Sequence, residues 1–289
     1  YLMLDAGECL HYPAAWDVLQ ALLDAGLPRL HVVLATRRRP LLRYGQLAAQ
    51  AALCEIGDAA LAFSLAETTA CLAAAHTQAT AVRAHEMTRG WPAGVRLRGA
   101  ARAQDPSTQA CPAALNAYWT EVIAPAMSDA HRDFLCRLAW LGRCNAALAA
   151  AISGVTETDA AHTLQTLVGQ GMFVTADARH AGWYTVHPML AAWLRGTTAL
   201  APQALRALHR NAAIGWLRER NHAEALAHAM RADDAALVVS VVREAMPAMP
   251  AISQLRNLPA WIDGADLGRN GQESAMLLAG AWACTVAAR

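Results

Sequence analysis

Two short apolar runs bracket an amphipathic helix within the first 36 residues. LML at residues 2–4 and LHVVLAT at 30–36 have the length and apolar character of buried parallel strands. Between them, AAWDVLQALLDAGLP places Val18, Leu19, Leu22 and Leu23 on one helical face. Gly26 and Pro28 stop that helix. Strand, helix, strand is a βαβ unit, which should be parallel and right-handed. Two strands alone do not make a stable parallel sheet. The expectation is therefore that residues 1–62 are the C-terminal half of an α/β domain whose other strands precede this chain. With sheet edges meant to be paired, they should also be its least stable part.

The first strand runs straight into Asp5, a placement that delivers a carboxylate to the C-terminal edge of a sheet. In nucleotide-hydrolysing proteins such an acid holds Mg²⁺ beside the phosphates. The usual phosphate loop, GxxxxGK[ST], needs a lysine. All 24 basic residues here are arginine, so these residues cannot contain one. A formal charge of +1 without a basic stripe gives no electrostatic case for nucleic acid. The chain is 55% hydrophobic, yet charges interrupt every apolar stretch before it reaches membrane-spanning length. Seven scattered cysteines without CxxC spacing point to reduced, mostly buried thiols and a cytoplasmic protein, with no zinc site.

From Ser64 the pattern becomes helical. SLAE is a capping box, Ser64 at the N-cap and Glu67 at N3, opening a helix to about Ala75. A second helix over 80–89 ends at Gly90, and GWPAGVRL restarts helix with Pro92 in its first turn. AQDPSTQACP, residues 103–112, reads as a linker. Helices fit 114–127, 129–141, 145–152 and 157–170, followed by a hairpin (MFVTAD, WYTVH) and a short helix, PMLAAWLR. That order describes a winged helix. Residues 203–248 read as an antiparallel helix pair, and ESAMLLAGAWACTVAAR as one more amphipathic helix.

A winged helix invites a DNA-reading role, and the charges oppose it. The helix in the recognition position carries Glu157 and Asp159 and no arginine, which would repel a phosphate backbone. The wing offers only Arg179 and His180. A structural winged helix packed against its neighbours is the better reading.

Taken in order, LMLDAGE, HVVLATR, GWPAGVRL, WYTVHPMLAAWLR and LHRNAAIGWLRERNHAEALAHAM resemble the MalT-like large ATP-binding regulators of the LuxR type, which are STAND signal-transduction NTPases. The resemblance covers essentially the whole chain. It implies a mainly α fold with a partial α/β start: a truncated P-loop NTPase core (1–62), a helical lid (63–104), a winged helix (105–200), a helical arm (201–262) and the start of a helical repeat sensor domain (263–289). It further implies ATP or ADP with Mg²⁺ bound in the complete protein, and none by this chain alone. DNA would be met through a missing C-terminal domain and a small-molecule inducer through the missing repeat domain. Self-association would follow activation, without a membrane.

The same resemblance singles out four positions. Asp5 matches the Mg²⁺-orienting acid, acting indirectly on the metal; its plainer alternative is a loop acid capping the next helix. Ala6 stands where the family has a second acid, and Glu8 is not expected to replace it. Arg37 matches a sensor arginine that would meet the γ-phosphate, a task suited to a permanently charged, forked guanidinium. Pro92 resembles the lid proline near the adenine, and His187 the winged-helix histidine that reaches nucleotide in the closed state; a helix start and a satisfied core histidine are their plainer alternatives.

Ala48 and Gln50 replace arginines of the family pattern. A charged hydrogen bond nets about 1.5–3 kcal/mol. Throwing a two-state switch from one side to the other needs about 5.5 kcal/mol of differential binding, so Arg37 alone does not suffice. No residue is assigned to catalysis: Cys9 and His11 lack a third orienting group, and at most a weak ATPase is expected of the complete protein. The expected function is the central switch segment of an ATP-dependent transcriptional regulator. The alternative is a nucleotide-independent helical scaffold that binds a partner protein.

Overall fold

A computed structural model describes residues 1–10, 12–72, 78–100, 113–198 and 200–245. The expectations for His11, for the linker at 103–112 and for the C-terminal helix lie outside the described residues. The described chain is mainly helical, with two small sheets.

β1 (Leu2–Leu4) and β2 (Val32–Leu34) pair in parallel, with Leu2 opposite Val32 and Leu4 opposite Leu34, and α1 (Pro13–Asp24) connects them. The strands are not buried on both faces as expected. Leu2, Leu4, Val32 and Leu34 turn towards the rest of the chain, whereas Met3 is 73% and Val33 52% exposed. The face of α1 is also different. Trp16, Leu19 and Gln20 are buried, while Val18 is 70% exposed. Gln20 is drawn inwards because its side chain bridges Asp24 and the Arg43 backbone N–H, at 2.9 and 2.7 Å. Two short helices follow, α2 (Tyr44–Ala49) and α3 (Asp58–Leu61).

The capping box forms as the sequence predicts. At the start of α4 (Leu65–Leu72), Ser64 N–H donates to the Glu67 carboxylate at 2.8 Å and Glu67 N–H donates to Ser64 Oγ at 3.2 Å. α5 (Gln78–Thr88) ends in the turn Arg89–Gly90, both residues left-handed. A Cβ at Gly90 would lie 2.2 Å from the Phe63 carbonyl oxygen, so glycine is required where the two backbones meet. α6 (Pro92–Ala100) closes this helical group around buried Leu72, Ala81, Ala84 and Val95.

The largest core begins at α7 (Ala113–Tyr118), which continues through a π-helical turn at Trp119–Ile123 and a 3₁₀ turn to Ala126. α8 (Asp129–Leu138), α9 (Ala146–Ser153) and α10 (Glu157–Gly169) start at Ser128, Asn145 and Thr156, each side chain accepting from a backbone N–H three residues on. β4 (Val174–Ala176) and β5 (Tyr184–Val186) form the expected antiparallel hairpin, and β3 (Arg143–Cys144) adds a third strand in the order β3-β5-β4. α11 (Pro188–Thr197) follows directly. α12 (Pro202–Arg218), α13 (His222–Arg231) and α14 (Ala235–Ala245) pack in succession, α12 also lying on α9.

The thiols depart from expectation. Cys136 and Cys144 are buried, but Cys9, Cys54 and Cys71 are exposed. Among the described residues no helix is long and apolar enough to cross a membrane.

Candidate functional site

Asp5 and Arg37 leave β1 and β2 at the same edge of the parallel pair. The register and the bond from Gly7 N–H to the Ala35 carbonyl at 3.0 Å hold their two loops together. Gly7 permits this closeness: a Cβ there would stand 3.0 Å from both Leu34 Cδ1 and Thr36 Cβ. Asp5 is exposed and accepts from the Ala6 N–H at 2.8 Å, closing a tight turn with Ala6 left-handed.

Arg37 is met by Glu8 rather than by Asp5. One Glu8 carboxylate oxygen accepts from the Arg37 backbone N–H at 3.1 Å, and the other lies 3.4 Å from Arg37 Nε. Burial pushes the Glu8 carboxyl up, but hydrogen bonds from backbone N–H groups and the Arg37 charge outweigh it and hold the group below the usual carboxylate range. Sequence reasoning gave Glu8 no role. Its partner lies 29 residues away, beyond any local spacing signal. An exposed carboxylate and guanidinium on one strand edge fit one wall of a magnesium–phosphate site. Glu8 fits it less well, because its negative charge faces the same ground. Among the described residues there is no group of three or more His, Cys, Asp or Glu placed to hold a metal.

The other two residues lie at a separate junction, Pro92 beside it through its neighbour Trp91. Pro92 occupies the first turn of α6, and the preceding Trp91 is the centre of an aromatic group. Its ring centroid lies 5.0 Å from Phe173, 5.5 Å from Trp119 and 6.1 Å from His187. His187 caps α11, its Nδ1 accepting from Met189 N–H at 3.3 Å, and its Nε2 lies 3.0 Å from the Thr88 carbonyl oxygen at the end of α5. A carbonyl only accepts, so the proton sits on Nε2. Burial, with a smaller contribution from the nearby Arg89 charge, depresses this imidazole to about 4 despite the favourable Thr88 bond.

One contact bridges the two places. Gly171 is left-handed, and a Cβ on it would fall 2.7 Å from the Arg37 carbonyl oxygen. The Arg37 loop thus touches the strand edge with its side chain and the winged helix with its backbone. Gly171, Phe173 and Trp91 were not selected from sequence. The GQGMF glycine before a strand was the available signal, and it reads equally well as an ordinary turn.

The recognition-position helix α10 exposes Glu157, Thr158, Asp159, His162 and Gln165, with no arginine. Trp183 of the wing stacks on Trp216 of α12 at 5.6 Å. Asp177 pairs with Arg143 and His180, so the wing is engaged within the molecule.

Residues 119–206 match the family model of the MalT winged helix domain, a span running from the π-helical turn into the first turns of α12. The segment is MalT-like. The likeness extends well beyond the winged helix. The HTH-type transcriptional regulator MalT of Vibrio parahaemolyticus is 26% identical over 258 residues, covering 84% of this chain and 28% of that protein. The protein of the same name from Vibrio cholerae is also 26% identical over 258 residues. That from Serratia proteamaculans is 27% identical over 297 residues, covering 98% of this chain and 32% of its own. The chain therefore spans less than a third of the length of these curated relatives. Within the MalT-like match lie both the Arg37 loop's partner, Gly171, and His187.

Proposed function

We propose that this chain is the switch segment of a transcriptional regulator of the MalT kind, in which nucleotide at the β1–β2 edge decides whether the winged helix stays docked. The observation that carries this reading is the double engagement of Arg37. Its guanidinium stands at the strand edge, while its carbonyl lies against Gly171 of the winged helix. A phosphate drawing on that side chain would shift the carbonyl and hence the docked surface. ATP with Mg²⁺ would supply the anionic charge, Asp5 would orient the metal's water shell, and Pro92 would border the base. DNA binding, inducer sensing and self-association belong to the complete protein in this reading, as does any ATP turnover.

The test is Arg37→Ala in the complete protein, titrated calorimetrically with ATP and with ADP. Loss of any preference for ATP is the expected result; an unchanged preference removes Arg37 from the mechanism. A second reading, a nucleotide-independent scaffold, draws support from Glu8, whose carboxylate already occupies Arg37, and from Ala6, Ala48 and Gln50. It predicts no calorimetric signal with either nucleotide.

A further inference from the structure

Glu8 is fixed at the strand edge by more than the charge of its partner. It sits in the short 3₁₀ turn Gly7–Cys9, which the bond from Gly7 N–H to the Ala35 carbonyl ties to the loop after β2. Its carboxylate accepts from backbone N–H groups, its own and that of Arg37 at 3.1 Å. The Arg37 peptide is thereby held on both sides, its N–H on Glu8 and its carbonyl against Gly171. The two side chains are not held equally. That of Glu8 is 22% exposed and that of Arg37 54%, and the guanidinium meets the carboxylate only through Nε at 3.4 Å. An approaching anion can turn the guanidinium, whereas the carboxylate stays with the backbone that binds it.

The surroundings offer Arg37 little help. Of the four arginines between positions 37 and 43, Arg39 pairs with Glu55 and Arg43 with Asp24, so their charges are already answered. Asp5 is turned into its own loop, accepting from Ala6 N–H. From this geometry we infer that Glu8 is a specificity-determining residue, a fixed carboxylate that competes with a terminal phosphate for Arg37 and biases the strand edge towards a nucleoside diphosphate over a triphosphate. The inference rests on the reading that nucleotide meets Arg37, and it names the residue that limits the preference for ATP. A permanently charged guanidinium attracts any phosphate. With Glu8 beside it the pair is neutral, and each further negative charge of a triphosphate is repelled by the carboxylate.

The test is Glu8→Gln in the complete protein, alone and combined with Arg37→Ala, titrated calorimetrically with ATP and with ADP in the presence of Mg²⁺. Glutamine keeps an oxygen for the Arg37 N–H and removes the charge. Affinity for ATP should rise about tenfold, affinity for ADP should change less than about threefold, and the gain should vanish in the double variant. An unchanged affinity for ATP overturns the inference, as does an equal gain for both nucleotides or a gain that survives Arg37→Ala. A fall in ATP affinity overturns it too, by showing that Glu8 serves the metal. Glu8→Ser, which also lacks the charge, carries the same expectations if the glutamine variant does not fold. Failure of the switch reading looks different: Arg37→Ala alone then leaves the ATP preference intact. Absence of binding in every variant overturns both.

Discussion

The two histidines of the helical arm show how a single pair can tie stability to pH. His209 on α12 and His228 on α13 are both buried, and their Nδ1 atoms lie 2.9 Å apart. One ring must donate and the other accept, so a second Nδ1 proton would set two donors against each other. Trp140 stands edge-on to His209 at 5.6 Å, and the Arg231 charge disfavours a further cation. Burial, chiefly, depresses His209 to about 4 and His228 to about 3. In the unfolded chain both rings take up protons near 6.5. The unfolded state thus binds more protons below that value, and folding stability falls as the pH drops from about 6.5 towards 4. The slope should reach up to about 1.4 kcal/mol per pH unit for each histidine. Urea unfolding at stepped pH should reveal it, and His209→Leu/His228→Leu should flatten most of it. His187 contributes in the same direction, so a residual slope is expected in that double variant.

At the scale of elements, the sequence is most readable where structure depends on neighbours a few residues apart. Ser64–Glu67 forms the capping box read from the sequence, and in the structure Ser128, Asn145, Thr156 and Asn221 cap their helices in the same local way. Replacing Asn145 with alanine removes the acceptor for Leu148 N–H, 2.9 Å away, and should destabilise the winged helix by about 1 kcal/mol in denaturant titration. Elements that depend on distant partners were not legible. β3 is two residues long and exists because Arg143 and Cys144 meet β5. At the π-helical turn, Trp119 packs against Trp91, Phe173 and Trp193, none of them local. The expected face of α1 includes buried Leu19 and half-buried Leu22 and Leu23, but Val18 faces solvent and Gln20, whose burial depends on the Arg43 backbone, lies inside.

Across the whole molecule, buried apolar residues run from Leu115 to Val242 in one cluster, with a smaller one under the α4–α6 group. The described part of the first 62 residues buries only Gly7, Trp16, Leu19, Gln20 and Leu47. Few buried contacts mean low local opening free energies. Amides of β1 and β2 should therefore exchange far faster than those of α8–α12 under native conditions. Equal protection would show the two-stranded sheet to be as cooperative as the core.

The order of elements, the caps, the turn glycines and the absence of a lysine-bearing phosphate loop were all decided by the amino-acid sequence, because each depends on residue type at short spacing. Which side chains meet was decided only by the tertiary structure. Glu8 rather than Asp5 holds Arg37, Gly171 rests under the Arg37 carbonyl, and His187 reaches across 99 residues to Thr88. Such pairings have no period to read: they arise when separate hydrophobic faces close together and bring polar groups from remote segments within hydrogen-bonding distance.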